Sequence, residues 1–300
     1  MGTGHGHGAQ AGGKHRWRLA LSFALVLIFF VVELTFGLVF GSLALLSDAG
    51  HMAADVVALG AALVATKIAT RPDSTGRRSY GSYRAEVFAS GLTVLLMLGV
   101  SVYVVVEAIS RIGTAVDVQT GPMLIVGAIG LGINVLSMLL LRGGAQESLN
   151  VKSAYFEVVA DAAGSVGVIL AGWLVLVTGN GSWDTVVALA IGAFVAIRAV
   201  RLGRQVLSVL GQQVPEGMEL DTISADLAAV PGVADVHDLH VWTLTSGMHV
   251  ATAHLVTTAE AEPQSVLDDA RAILRTAYKI EHATLQVEST QRQECHELDW

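Results

Sequence analysis

Long apolar runs alternate with short polar segments through the first 205 residues of the chain. A helix that crosses the hydrocarbon core of a bilayer needs about 20 mostly apolar residues. Two charge-free runs have that length, at 87–106 and 118–141. Four further runs carry polar interruptions, and they lie at 19–41, 43–66, 162–183 with a helix start near 150, and 183–200. We therefore predict six membrane-spanning helices.

The pattern changes after residue 205, where shorter periodic segments follow one another. Two segments show helical spacing, at 218–232 and 263–278, and the first is stopped by Pro231-Gly232. The segments between and after them read as strands, at 233–247, 248–258 and 281–289. The resulting order αββαβ predicts a small α/β domain.

Alternation in the last predicted strand separates two faces. Ala283, Leu285 and Val287 fall on the core face. The other face carries His282, Thr284, Gln286 and Glu288. This strand therefore offers both apolar packing surface and polar side chains.

Charge supports the division of the chain into two parts. The chain is 53% hydrophobic and 15% charged, against about 25% charged residues in soluble domains. Residues 1–205 contain 14 Lys/Arg and 11 Asp/Glu, whereas residues 206–300 contain 4 and 15. The acidic second part disfavours nucleic acid as a partner and suits cations. The only cysteine, Cys295, excludes an intrachain disulfide.

These patterns predict four segments. Residues 1–16 form a disordered, histidine-containing cytosolic arm, and 17–205 form a six-helix transmembrane domain. Residues 206–290 form the cytosolic α/β domain, and 291–300 form a tail. The arm's His5, His7 and His15 either bind metal loosely or belong to a flexible tail.

The basic residues predict the orientation, because Lys and Arg concentrate on the cytosolic side of membrane proteins. With a cytosolic N-terminus, 13 of the 14 Lys/Arg of the first part lie in the cytosol, and only Arg111 faces out. The chain is then an integral protein of the cell's inner (plasma) membrane, with both termini in the cytosol.

Ionisable residues inside two predicted spans are the main candidate chemistry. Asp48, His51 and Asp55 share one face of the second span, being three and four residues apart. Glu157 and Asp161 share a face of the fifth span at i, i+4. A buried charge in hydrocarbon costs about 2.5–3.5 kcal/mol on insertion scales. These acidic residues are therefore expected to bind a positively charged ligand.

Joined together, the two faces supply one imidazole and three carboxylates, from His51, Asp55, Glu157 and Asp161. Four such ligands suit a tetrahedral divalent ion, and no Lys or Arg lies on these two faces to neutralise the acids. The imidazole favours zinc, cobalt or cadmium. Asp48 is expected to cap the helix or to line the exit path. The other buried polar residues are expected to be interhelical hydrogen-bond partners, namely Glu33, Asn134 and Ser165.

Two other functions remain open from these residues. An intramembrane metal-dependent hydrolase also needs His and carboxylates in the bilayer, but it requires a metal-bound water and a general base, and the H-E-x-x-H signature is missing. A monovalent cation/proton exchanger would use carboxylates without requiring His51. No organic cofactor is expected.

Two motifs resemble a known family. "GSLALLSDAGHMAAD" (41–55) and "AYFEVVADAAGSVGVI" (154–169) resemble the second and fifth spans of the cation diffusion facilitator family, in its zinc/cadmium/cobalt branch. The resemblance implies proton-coupled export of Zn²⁺, or of Cd²⁺ or Co²⁺, by a homodimer that undergoes alternating access. It assigns the transport site to His51, Asp55, Glu157 and Asp161. Many relatives have His where this chain has Glu157, and a histidine-rich loop found in some relatives is absent between spans 4 and 5.

The resemblance also implies a ferredoxin-like, metallochaperone-type cytosolic domain, through which the protein dimerises. By the same resemblance, His237, His254 and Glu288 are candidates for a regulatory metal site. Cys295 and His296 in the tail are weaker candidates. The remaining histidines of the domain are expected to be structural or exposed, namely His240, His249 and His282.

Overall fold

The computed structural model describes residues 16–69, 80, 84–112, 118–142, 149–245 and 247–289. Side chains at 16–20, 22, 58–69, 149–154 and 157 lie outside the description. The chain divides into two compact units, one of residues 1–63 and 91–202 and the other of 64–90 and 203–300.

Six long helices confirm the predicted spans. They are α1 (Arg16–Phe40), α2 (Leu43–Ala69), α3 (Ala85–Ser110), α4 (Thr120–Arg142), α5 (Leu149–Thr178) and α6 (Ser182–Leu210). Within the described residues, all except α2 contain a stretch long and apolar enough to cross a membrane. The last helix runs ten residues past the predicted end of its span, because an α-helix can continue through the polar segment that closes an apolar run.

Large apolar side chains cover much of the outer surface of these helices. On α3, for example, Val102, Val106 and Ile109 are each 61% exposed. Exposed apolar patches of this extent are unusual on a soluble protein and indicate contact with a partner or with lipid. The helix surfaces therefore fit a protein embedded in a bilayer.

The interior of the first unit is built from small and medium side chains. Leu43, Leu45 and Met52 of α2 are buried with Phe29 of α1 and Met123 of α4. Glycines allow helices to approach closely: a Cβ on Gly130 of α4 would collide with the ring of Phe29. Close packing of this kind holds helix faces together where lipid offers no hydrophobic driving force.

The second unit confirms the predicted αββαβ order. Its elements are α7 (Leu220–Ala228), β1 (Val233–Thr245), β2 (Met248–Thr257), α8 (Pro263–Ala277) and β3 (His282–Glu288). Strand β2 lies in the centre of a three-stranded sheet, antiparallel to β1 and parallel to β3. The two helices pack on the sheet through a core that includes Ile223, Leu227, Leu255 and Leu274.

The last strand follows the predicted alternation, with one difference. His282, Thr284 and Gln286 are exposed, and Ala283 and Leu285 pack against the core. Glu288 shares the polar face but is buried, with 7% of its surface exposed. One histidine from β1 and one from β2 lie close to its carboxylate.

Candidate metal centres

The start of α2 is held by a carboxylate from another helix. Asp184, in the first turn of α6, accepts the backbone N–H groups of Leu43 at 2.7 Å and Ala44 at 3.2 Å. Asp184 also accepts a hydrogen bond from the Ser42 hydroxyl at 2.7 Å. These bonds satisfy amide donors that a helix start leaves without partners. The cap therefore comes from Asp184. Of the two roles expected for Asp48, capping is not the one it has here, and lining the exit path stays a prediction.

Arg111 completes this buried cap. Its guanidinium lies 3.5 Å from Asp184 Oδ2, donates to the carbonyl of Gly41 at 3.0 Å, and donates to Glu107 at 3.1 Å. A charge that is removed from water needs a partner of opposite sign. Arg111, which was predicted to face out while the other 13 Lys/Arg of the first 205 residues face the cytosol, therefore stabilises the junction of α2, α3 and α6.

Three of the four predicted transport ligands converge inside the first unit. The Nε2 atom of His51 lies 3.1 Å from Asp161 Oδ1 and 3.6 Å from Asp55 Oδ2. The three side chains are buried, and their ligand atoms all lie within 4.8 Å of one another. One imidazole and two carboxylates from two helices thus surround a common point.

The fourth predicted ligand, Glu157, lies on α5 one turn before Asp161. Its side chain is outside the described residues. The structure accordingly describes a three-residue cluster, and the role of Glu157 stays a prediction.

A basic residue reaches this cluster from a third helix. Arg198 Nη1 of α6 lies 2.9 Å from His51 Nε2, and Arg198 Nη2 lies 4.0 Å from Asp55 Oδ1. The sequence argument, which considered only the faces of the second and fifth spans, missed this cation. In the sequence, Arg198 stands at the end of the last apolar run, in "AIRAVRLGR". That pattern does not reveal which helix the arginine contacts.

Two more acids lie deep in the same unit. Glu33 of α1 is fully buried beside Asp48 of α2. The Asp48 carboxylate lies against Gly164 of α5, where a Cβ would collide with Asp48 Oδ1. Glycine at this position therefore permits the close contact between α2 and α5.

The predicted interhelical hydrogen bonding is present between α4 and α5. Asn134 Nδ2 donates to Ser165 Oγ at 3.3 Å, and both residues are buried. The carboxyl of Glu33, on α1, lies beside that of Asp48 on α2.

A second cluster lies on the sheet of the second unit. His237 of β1 pairs directly with His254 of β2, and their rings meet edge to face with centroids 5.2 Å apart. His254 Nδ1 lies 3.3 Å from Glu288 Oε1, and His237 Nε2 lies 3.9 Å from Glu288 Oε2. Their ligand atoms lie within 4.8 Å of one another. All three predicted regulatory ligands are thus together.

The chemistry of His237 suits metal binding. Within the described residues, neither of its ring nitrogens makes a hydrogen bond, and Asp235 Oδ2 lies 3.5 Å from Nδ1. A buried polar atom without a hydrogen bond is costly unless another partner satisfies it. Two imidazoles and a carboxylate form a donor set that zinc commonly uses.

Other predicted residues lie away from this cluster or outside the description. His240 bonds Asp238 at 2.9 Å and is exposed, as is His282. His249 contacts Thr243 Oγ1 at 3.1 Å, and partial burial lowers the pKa of its imidazole. Cys295 and His296, like the N-terminal His5, His7 and His15, lie outside the described residues.

Comparison with known families matches both parts of the chain. Residues 19–210 match a family profile described as the cation efflux transmembrane domain. Residues 215–290 match a profile described as the cytoplasmic domain of cation efflux proteins. Together the two matches cover nearly the whole chain.

Three curated relatives are similar along almost their full length. The metal cation efflux system protein CzcD of Cupriavidus metallidurans is 39% identical, over 96% of this chain and 90% of the relative. The zinc transporter ZitB of Escherichia coli is 34% identical, over 94% and 89%. The cadmium, cobalt and zinc/H(+)-K(+) antiporter of Bacillus subtilis is 32% identical, over 93% and 87%.

Proposed function

This chain belongs to the cation efflux family and is a metal efflux transporter, and from that premise we propose that it exports Zn²⁺ from the cytosol in exchange for protons. The proposed transport site lies between α2 and α5 and consists of His51, Asp55, Asp161 and Glu157. Cd²⁺ and Co²⁺ are further substrates in this proposal, because the Bacillus subtilis relative is named for all three metals.

The observation that carries the proposal is the buried convergence of His51, Asp55 and Asp161. Buried carboxylates require a compensating positive charge. A divalent ion supplies that charge and also uses the imidazole, which a monovalent cation would not require. The mixed nitrogen and oxygen donor set suits Zn²⁺ better than the harder Mg²⁺ or Mn²⁺.

Proton exchange follows from the same donor set. Metal binding needs deprotonated ligands, so a site that loads metal releases protons and a site that regains protons releases metal. Histidine titrates near neutral pH, which allows a physiological proton gradient to drive this exchange. Alternating access of the site to the two sides of the membrane would then couple proton entry to metal exit.

We propose a cytosolic N-terminus and C-terminus, on the basis of the 13 Lys/Arg that share one side. The proposed domain limits are 17–205 for the transmembrane part and 206–290 for the cytosolic part. Homodimerisation through the cytosolic domain is part of the proposal. The cluster of His237, His254 and Glu288 would bind a regulatory metal ion there.

Metal flux into proteoliposomes under an imposed pH gradient tests the proposal, with Zn²⁺, Cd²⁺, Co²⁺ and Mn²⁺ compared. The wild-type protein should accumulate Zn²⁺, and Asp161→Ala should abolish uptake while keeping the elution profile of the folded protein. His282→Ala is a matched control, since His282 is exposed and distant in sequence from the site. Undiminished Zn²⁺ uptake by Asp161→Ala would refute the site, and Na⁺ flux that survives His51→Ala would favour a monovalent exchanger.

A further inference from the structure

The guanidinium of Arg198 lies against the cluster of His51, Asp55 and Asp161, beside the imidazole nitrogen that a bound metal ion would use. Its guanidinium nitrogen is 2.9 Å from His51 Nε2, the same atom that faces both Asp55 and Asp161. A zinc ion bound to an imidazole nitrogen lies about 2.0–2.1 Å from it. The guanidinium and the ion cannot both use the Nε2 lone pair.

A neighbouring aromatic ring holds Arg198 in this position. Phe194, one turn earlier on α6, lies under the guanidinium with 6.0 Å between Cζ and the ring centroid. The same ring meets His51 edge to face, with centroids 6.4 Å apart. Phe194 is therefore near both partners, and the attraction between a cation and an aromatic ring favours this position of the guanidinium.

Arg198 also supplies positive charge to the acids of the proposed site. Arginine keeps its positive charge at every physiological pH. With His51 neutral and Asp55, Asp161 and Glu157 ionised, the proposed site carries three negative charges, and Arg198 compensates one of them. In the metal-free carrier the arginine therefore lowers the cost of burying these acids.

From this arrangement we propose that Arg198 is an internal counter-cation: it occupies the transport site when no metal is bound, and it must withdraw for metal to bind. The inference rests on the proposed transport site. It makes Arg198 a residue that sets metal affinity by competition, because every bound ion must displace it. The arginine also compensates buried carboxylates in the metal-free carrier, a role otherwise left entirely to protons.

Zinc binding to the full chain in detergent, measured by calorimetry, tests this competition. Every protein carries His254→Ala so that the cytosolic cluster contributes little. We expect R198Q to lower the Kd of the transport site about tenfold, as expected when a cation leaves a charged binding site. R198K retains the charge and should stay near the parent value. R201Q is the matched control, because Arg201 is an exposed arginine on the same helix, and it should not change the Kd.

An unchanged or raised Kd for R198Q would overturn the inference. Failure of the proposed function gives a different result. In that case, D161A would not reduce Zn²⁺ binding by the parent protein. If R198Q does not fold, arginine modification of the parent protein by phenylglyoxal replaces it. Zn²⁺ should increase the modification of Arg198 and leave that of Arg201 unchanged, as read by peptide mass spectrometry. Equal or reduced modification of Arg198 with Zn²⁺ would also overturn the inference.

Discussion

Asp184 Oδ2 accepts the backbone N–H of Leu43 at 2.7 Å, although 141 positions separate the two residues. This bond ties the start of α6 to the start of α2, the helix that carries His51 and Asp55. The placement of the helix that carries two predicted metal ligands thus depends on a carboxylate that is not one of those ligands.

We expect Asp184→Asn to destabilise the protein by about 1–3 kcal/mol, because it leaves a buried amide or guanidinium group without its acceptor. Thermal unfolding of the full chain in detergent measures the change. Ser42→Ala removes a single hydroxyl from the same cap and should cost less. A midpoint for Asp184→Asn equal to that of the wild type would show that the cap does not matter.

The sequence predicted the helices well and their lateral contacts poorly. The fourth span was predicted at 118–141, and α4 is Thr120–Arg142. Hydropathy and helical spacing identify a span and the face that its polar residues share. Those local signals do not say which other helix covers that face.

Arg198 and Asp184 illustrate that limit. Each acts on α2 from α6, more than 130 positions away in sequence. In the sequence, Arg198 was one of the 13 basic residues that predict the orientation, and Asp184 stood at the start of the predicted span 183–200. On the sheet, by contrast, alternation along β3 marked Glu288 as polar, and strand pairing then brought it to His254.

Gly164→Ala should disturb the proposed transport site without altering any of its proposed ligands. The added methyl group would lie where the Asp48 carboxylate packs on α5, and overpacking of this kind costs about 1–3 kcal/mol. We expect weaker Zn²⁺ uptake and a lower unfolding midpoint. Gly132→Ala on α4 is the control, because among the described residues no atom lies within 4 Å of its new methyl group. Equal behaviour of the two variants would argue against a tight contact between α2 and α5.

His254→Ala should remove the proposed metal binding from the cytosolic domain and leave the proposed transport ligands intact. His254 contributes one of the two imidazoles of that cluster, and its loss leaves a donor set too small to hold Zn²⁺ firmly. Equilibrium dialysis of the full chain with Zn²⁺ should show about one bound ion fewer per chain. His282→Ala, an exposed histidine on β3, should retain the wild-type count. An unaltered count in His254→Ala would remove this residue from the cluster's ligands.

Tyr278 should ionise late in an alkaline titration. Its hydroxyl donates to Asp226 Oδ2 at 2.5 Å, and this hydrogen bond to a carboxylate raises the pKa of the phenol from 10.0 to about 12. The neutral phenol is the stabilised form. The contribution of this bond to stability is therefore complete below pH 10 and is lost as the pH rises through 12.

The difference in absorbance between the wild type and Tyr278→Phe isolates this group among the five tyrosines. The difference signal should appear near pH 12, and Asp226→Asn should move it toward pH 10. A wild-type signal already centred at pH 10 would contradict the hydrogen bond.

The parallel pairing of β3 with β2 has a consequence for how the cytosolic domain holds together. His237 stands near the beginning of the domain and Glu288 at its final strand, and β2 lies between them. One ion shared by these residues would act as a reversible cross-link across a loop of roughly fifty residues, which restricts the unfolded chain. Cellular zinc would then govern not only what the protein carries but also how long its last strand stays in place.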